Sequence, residues 1–221
     1  MINFVFGILG IIGGVLCAIG DILFDLKGKN NVKSCYPKII DSNWQIMSEW
    51  RFKVSIFFAA LGVPLYLFGF LGMANHLAQS NRTVAMTFLV FSVVGASGGL
   101  FIHALVCIMP IISKTLSKKG VNNEIVENIC IKIYNTVKIP FITMFLSLVI
   151  ATSITLIYAI IRNYLNVPFV FVILNPLGLM LIGWLFRFIN KDIFSDLPGI
   201  IMPSIGIAMI GLMTTLTAVT L

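Results

Sequence analysis

The chain has 221 residues, 59% of them hydrophobic and 10% charged, with a formal net charge of +7. A soluble domain carries about a quarter charged residues, and here the apolar residues gather in blocks of about 20, the length that crosses a bilayer. Those blocks exclude a soluble globular fold and predict an all-α polytopic transmembrane bundle, one domain over residues 1–221.

Six helices are expected, over about 2–25, 53–76, 83–112, 138–161, 167–189 and 199–220. The first has a long apolar run and no basic start, so it is expected to stay as a helix rather than be cleaved. It carries a Gly10-x-x-x-Gly14 face, which lets another helix of the same chain approach closely. It ends in G-D-I-L-F-D, with Asp21 and Asp25 one turn apart on a shared face. Two acids at a helix C-terminus oppose the macrodipole and need a cationic partner.

The segment after it is basic, and Ile40, Trp44 and Met47 recur in it at helical spacing. Residues 39–50 therefore read as a short amphipathic helix at the membrane interface, with Trp44 and Trp50 at head-group depth. The second helix has Pro64, and a tight N-H-L-A-Q-S-N-R connection leads to the third. The third contains G-G-L-F-I-H-A, with His103 inside apolar sequence. Ile125, Ile129 and Ile133 mark a second interfacial helix before the fourth span. The fifth span holds Asn175 next to Pro176 and ends near Arg187, and Asp192 and Asp196 follow it.

Thirteen of the fifteen Lys and Arg residues fall in the odd-numbered connections or the helix ends beside them, and only Arg82 and Arg162 fall in the even-numbered ones. The positive-inside rule puts the odd connections in the cytoplasm and both termini outside. The basic charge is thus directed at anionic lipid head groups, and no nucleic acid is expected as a partner. Cys17, Cys35, Cys107 and Cys130 show no metal-ligand or disulfide spacing, so no metal or other cofactor is predicted.

Depth groups the polar residues. Asp21 lies about 28 Å along an inward-running helix at 1.5 Å per residue. His103 and Arg187 reach a similar level on the third and fifth helices, and Glu49 and Arg51 open the second helix there. Asp21, Asp25, Glu49, Arg51, His103 and Arg187 are the candidates for one polar layer at the cytoplasmic mouth. Arg51, Arg187 and His103 are the candidate partners of the acids. Asn175 lies deeper, and Thr143 and Ser147 face the same region from the fourth helix.

G-D-I-L-F-D, W-R-x-K before G-V-P-L-Y-L-F-G-F, and G-G-L-F-I-H-A together resemble an uncharacterised family of small multi-pass bacterial membrane proteins. The resemblance covers about the first half of the chain. It implies a bacterial plasma-membrane protein with a polar cluster from helices one to three, and no particular activity.

Three functions remain open at this point. In the first, the polar layer binds or transports a small molecule, ion or lipid, with Asp21 as charge partner, His103 as proton-sensitive group and Arg187 as anion clamp. In the second, Asp21 and His103 act as general base and acid on a lipid. In the third, the charges hold helices together in an accessory subunit whose protein partners are unspecified. The first is preferred, because the layer mixes charges and no nucleophile motif accompanies it.

Overall fold

In this computed structural model residues 1–28, 30–34, 39–194, 196–197 and 202–220 are described. Helix α1 (Ile2–Asp25) leads through a two-residue antiparallel pairing of β1 (Lys33–Ser34) with β2 (Ile40–Asp41) and a single 3-10 turn (Ser42–Gln45) into α2 (Glu49–Ser80). Then come α3 (Arg82–Lys118) and α4 (Asn123–Phe145), which continues through a π-helical turn (Leu146–Ala151) into α5 (Thr152–Ile161). A 3-10 turn (Phe169–Val172) precedes α6 (Pro176–Ile189), followed by the short α7 (Lys191–Phe194) and α8 (Met202–Thr220).

The protein is a bundle of six principal helices. Four segments, Ile2–Asp25, Glu49–Ser80, Arg82–Lys118 and Asn123–Ile161, are long and apolar enough to cross a membrane, and α6 and α8 are shorter apolar helices. The fifth expected segment is cut short because Pro168 and Pro176 bound an irregular stretch. Its 14-residue α6 spans only about 21 Å at 1.5 Å per residue. The interfacial helix expected over 39–50 is reduced to β2 and the 3-10 turn. The one expected near residues 123–134 is the first half of α4, in line with the span. Its buried stripe is Val126, Cys130 and Val137, one position round the helix from the predicted Ile125 and Ile129.

Glycine organises the centre. α1 packs between α2 and α8, antiparallel to both: Gly7 meets Thr215, Gly10 meets Gly69 and Gly211, Gly14 meets Ala208, and Gly20 meets Ser55. A Cβ on Gly10 would stand 2.8 Å from the Gly69 Cα and 3.0 Å from the Gly211 Cα, so three backbones touch where the sequence removes side chains. The opposite face of α1 turns Ile8, Ile12, Val15 and Ile19 outward. Small residues inside and large apolar residues outside is the pattern of a helix solvated by hydrocarbon rather than water. α3 packs on α2, and α4 to α5 packs on α3.

Register fixes the two ends of the bundle. Asn75 is hydrogen-bonded to Asn3, and Ser80 donates to the Tyr164 carbonyl, so the start of α1 and both short hairpins share one end. Gly7 beside Thr215 brings the end of α8 there too. The described residues of the basic connections, 26–28, 30–34, 39–48 and 119–122, lie at the other end, where Lys118 pairs with Glu49 at 3.1 Å.

A polar cluster and a half-open cavity at one end of the bundle

α1, α2, α3 and α8 each place one polar side chain at the basic end of the glycine-packed core. Asp21 Oδ1 stands 3.6 Å from His103 Nδ1, and Asp21 Oδ2 accepts a short hydrogen bond from Ser204. His103 Nε2 is 2.8 Å from Ser55 Oγ, which donates to the Gly20 carbonyl at 2.7 Å. Cys107 Sγ approaches His103 Nε2 at 3.5 Å and Ser55 Oγ at 3.6 Å. Of the six residues expected to form one layer, Asp21 and His103 are the two that meet here. Ser55 and Ser204 were missed in the sequence, although Ser55 is a lone hydroxyl in the apolar run that opens α2 at that depth. A carboxylate at Nδ1 and a hydroxyl at Nε2 is the arrangement of acyl-transfer triads, with Ser55 fully buried in this conformation.

Asp25 belongs to a second group. Lys27 Nζ lies 2.6 Å from Asp25 and 3.1 Å from Asp41, and sits 5.5 Å from the centre of the Phe24 ring. Asp41 is buried and also accepts from Asn31 at 2.6 Å. Burial works against the Lys27 ammonium, but the Asp25 and Asp41 carboxylates outweigh it and hold its pKa above the ordinary lysine value. The cation required by Asp25 is therefore Lys27, two residues on.

Arg51 serves α1 in another way. Its guanidinium donates to the Leu23 carbonyl at 3.0 Å, the Leu26 carbonyl at 2.7 Å and the Ile22 carbonyl at 3.4 Å. The Leu23 and Leu26 carbonyls are ones a helix end leaves without intrahelical donors, Ile22 already accepts from the Leu26 N–H, and a cation there complements the dipole. Asn175 is likewise a cap: it is fully buried, accepts from Gly178 N and donates to the Val172 carbonyl. Arg187 is exposed and stacks on Trp184 at 5.6 Å, outside the cluster. Asp196 accepts from the Lys27 backbone N–H at 3.2 Å. Thr143 is exposed and Ser147 is buried in the π-helical turn. The Asp192 side chain and Cys35 lie outside the described residues.

Between the end of α1, Lys33 with residues 39–44, α3 and α4 is a half-open cavity of about 200 Å³. Phe24, Ile102, Val106, Met109, Val137 and Phe141 give it apolar walls, and Asp25, Lys27, Lys33, Asp41 and Tyr134 add polar groups. Trp44 also lines it. Trp44 was expected at the interface but is 1% exposed, and its indole N–H has no acceptor among the described residues. The Phe24 ring stands between cavity and cluster, edge-on to His103 at 6.1 Å. Among the described residues no group of three or more His, Cys, Asp or Glu is placed to hold a metal ion.

Fold and site together define a helical protein with apolar helices of membrane-spanning length and a polar cluster at one end. The chain belongs to a family of unknown function (DUF6796), which matches residues 2–220. No curated protein and no solved structure matches it.

Proposed function

We propose that this is a multi-pass protein of a bacterial plasma membrane that binds a single-chain amphiphile at the cytoplasmic end of its bundle. The resemblance in the first half of the chain supports the bacterial membrane, and the lysine bias supports the orientation. The cavity carries the ligand reading. Its apolar walls suit a hydrocarbon tail, and its rim suits a head group rich in acceptor oxygens. The observation that carries the ligand reading is Trp44, whose unpartnered indole belongs to a residue that lines the cavity. A buried donor without a partner costs about 1–3 kcal/mol, and a head-group oxygen that displaces the atoms covering it would satisfy it. Lys33, exposed at the rim, adds a cation for the same head. Drug-sized ligands fill about 300–1,000 Å³, so the cavity holds the head and first carbons, with the rest of the chain outside it.

Native mass spectrometry of the protein released from its own membrane, beside Val106→Trp, tests this. The parent is expected to carry an amphiphile that a folded Val106→Trp, with its cavity filled, has lost. An empty parent, or equal occupancy in the variant, would sink the reading. The Ser55–His103–Asp21 line favours a second one, hydrolysis of a lipid ester. In that case the parent carries cleavage products and Ser55→Ala accumulates the intact lipid.

A further inference from the structure

Ser55 Oγ has one hydrogen and two close partners, the Gly20 carbonyl at 2.7 Å and His103 Nε2 at 2.8 Å. A carbonyl only accepts, so that hydrogen serves Gly20 or His103. When it serves Gly20, Ser55 Oγ can only accept from the imidazole, and Nε2 carries a hydrogen. Nδ1 then faces Asp21 Oδ1 at 3.6 Å. At this ion-pair distance a hydrogen on Nδ1 or on the carboxyl is favoured over a bare nitrogen lone pair turned toward a carboxylate oxygen. When the Ser55 hydrogen turns to Nε2, the count drops by one. Nδ1–H then faces the Asp21 carboxylate, and the Gly20 carbonyl keeps only its intrahelical donor.

We propose that the Asp21–His103 pair is a binding site for one exchangeable proton, and that Ser55 moves its hydrogen bond from Gly20 on α1 to His103 on α3 when that proton leaves. The inference is independent of what the cavity binds. The neighbouring groups leave the proton to this pair. On α1, Asp25 is held by Lys27, and Cys17 is a buried thiol. On α2, Arg51 is engaged with the carbonyls of α1, and Tyr66 is a buried phenol. Cys107 is the other titratable group on α3 at this site, and α8 contributes the Ser204 hydroxyl. Among the described residues no cation other than the imidazole touches Asp21. The Asp21 and His103 side chains keep 19% and 18% of their surface exposed, whereas Ser55 and Cys107 are closed off. The pair is thus the more accessible part of the cluster, and the arrival of a proton there is transmitted inward by a hydroxyl that ties α2 to one neighbour or the other.

The sequence makes the test direct. It has two histidines, so ring-¹⁵N-histidine labelling gives two spectra, assigned with His76→Gln. Gly20–Asp21 is its one Gly-Asp pair, so combined ¹³C-carbonyl-glycine and ¹⁵N-aspartate labelling isolates the Gly20 carbonyl. In lipid nanodiscs between about pH 4 and pH 10, a hydrogen on His103 Nε2 is expected to appear as pH falls. The Gly20 carbonyl signal is expected to move with the same midpoint. Asp21→Asn is expected to displace that midpoint by at least about one pH unit, and Ser55→Ala to abolish the carbonyl response. A His103 ring that keeps one protonation form throughout, a Gly20 carbonyl that does not move in the parent, or an Asp21→Asn midpoint that stays in place overturns the proposal. If Ser55→Ala fails to fold, the two parent signals still decide it.

Discussion

Lys27 shows how far single residues at this end depend on their charge. Its ammonium is 7% exposed, clamped between Asp25 and a 4% exposed Asp41. Because its folded pKa is raised, the stability it contributes is complete below the unfolded value, about 10.4, and is lost as pH rises through the higher folded value. Trp44 reports the clamp, since it lies in the same apolar cluster as Phe24 and Ile40. In a chain with Trp50 and Trp184 replaced by Phe, Trp44 fluorescence is expected to stay blue-shifted to above about pH 10.4 and to move red beyond it. Lys27→Met leaves Asp41 buried without its cation, which costs about 3–5 kcal/mol. That variant is expected to be red-shifted already at neutral pH. A parent that shifts below pH 9, or a variant that matches it at pH 7, would contradict the clamp. The sequence made Asp21 and His103 legible because rise per residue sets depth. It did not show where Arg51 and Arg187 point, because helix rotation is set by packing. Arg51 turns along α1 to its carbonyls, and Arg187 turns outward onto Trp184.

At the scale of elements, the helix blocks were legible because hydrocarbon demands long apolar runs. The exceptions have local causes. Pro176 with its Asn175 cap starts α6 late, and a buried Asp41 and Trp44 hold residues 40–45 in a turn instead of an amphipathic helix. What binds the elements together is the loss of side chains at crossing points, and this makes a differential prediction. Gly10→Ala places a Cβ against two backbones, which cannot yield as a side chain does. It is expected to cost about 1–3 kcal/mol, as overpacking does. Gly99→Ala, on α3, meets nothing nearer than the Tyr66 hydroxyl at 3.7 Å. There the better helix propensity of Ala is expected to add up to about 1 kcal/mol. Thermal unfolding of both variants in mild detergent checks the pair. Equal shifts in the same direction would mean that the three-backbone contact does not govern the packing of α1.

At the scale of the whole molecule, charge and register point the same way from independent grounds. The charge bias comes from the sequence alone: Lys and Arg cluster in the odd connections. The register comes from contacts that know nothing of a membrane: Asn3 with Asn75, Ser80 with Tyr164, and Gly7 beside Thr215. On the proposed membrane reading, they put both termini and both short hairpins on the side with few cations, and the cavity and the Asp21–His103 pair on the cationic side. That reading asks for an even number of crossings, with the 14-residue α6 and its preceding turn counting as one of them. If α6 instead dipped in and returned, α8 would run the other way beside α1, and the antiparallel match of Gly7, Gly10 and Gly14 with Thr215, Gly211 and Ala208 would be lost. Epitope tags before Ile2 and after Thr220 are therefore expected to be cleaved together by protease added to intact cells. A single cysteine at Lys119, in a chain with its native cysteines replaced, is expected to react with an impermeant maleimide only after permeabilisation. Tags on opposite sides would refute the six-crossing arrangement, whereas tags together on the inside would keep the fold and reverse the membrane around it.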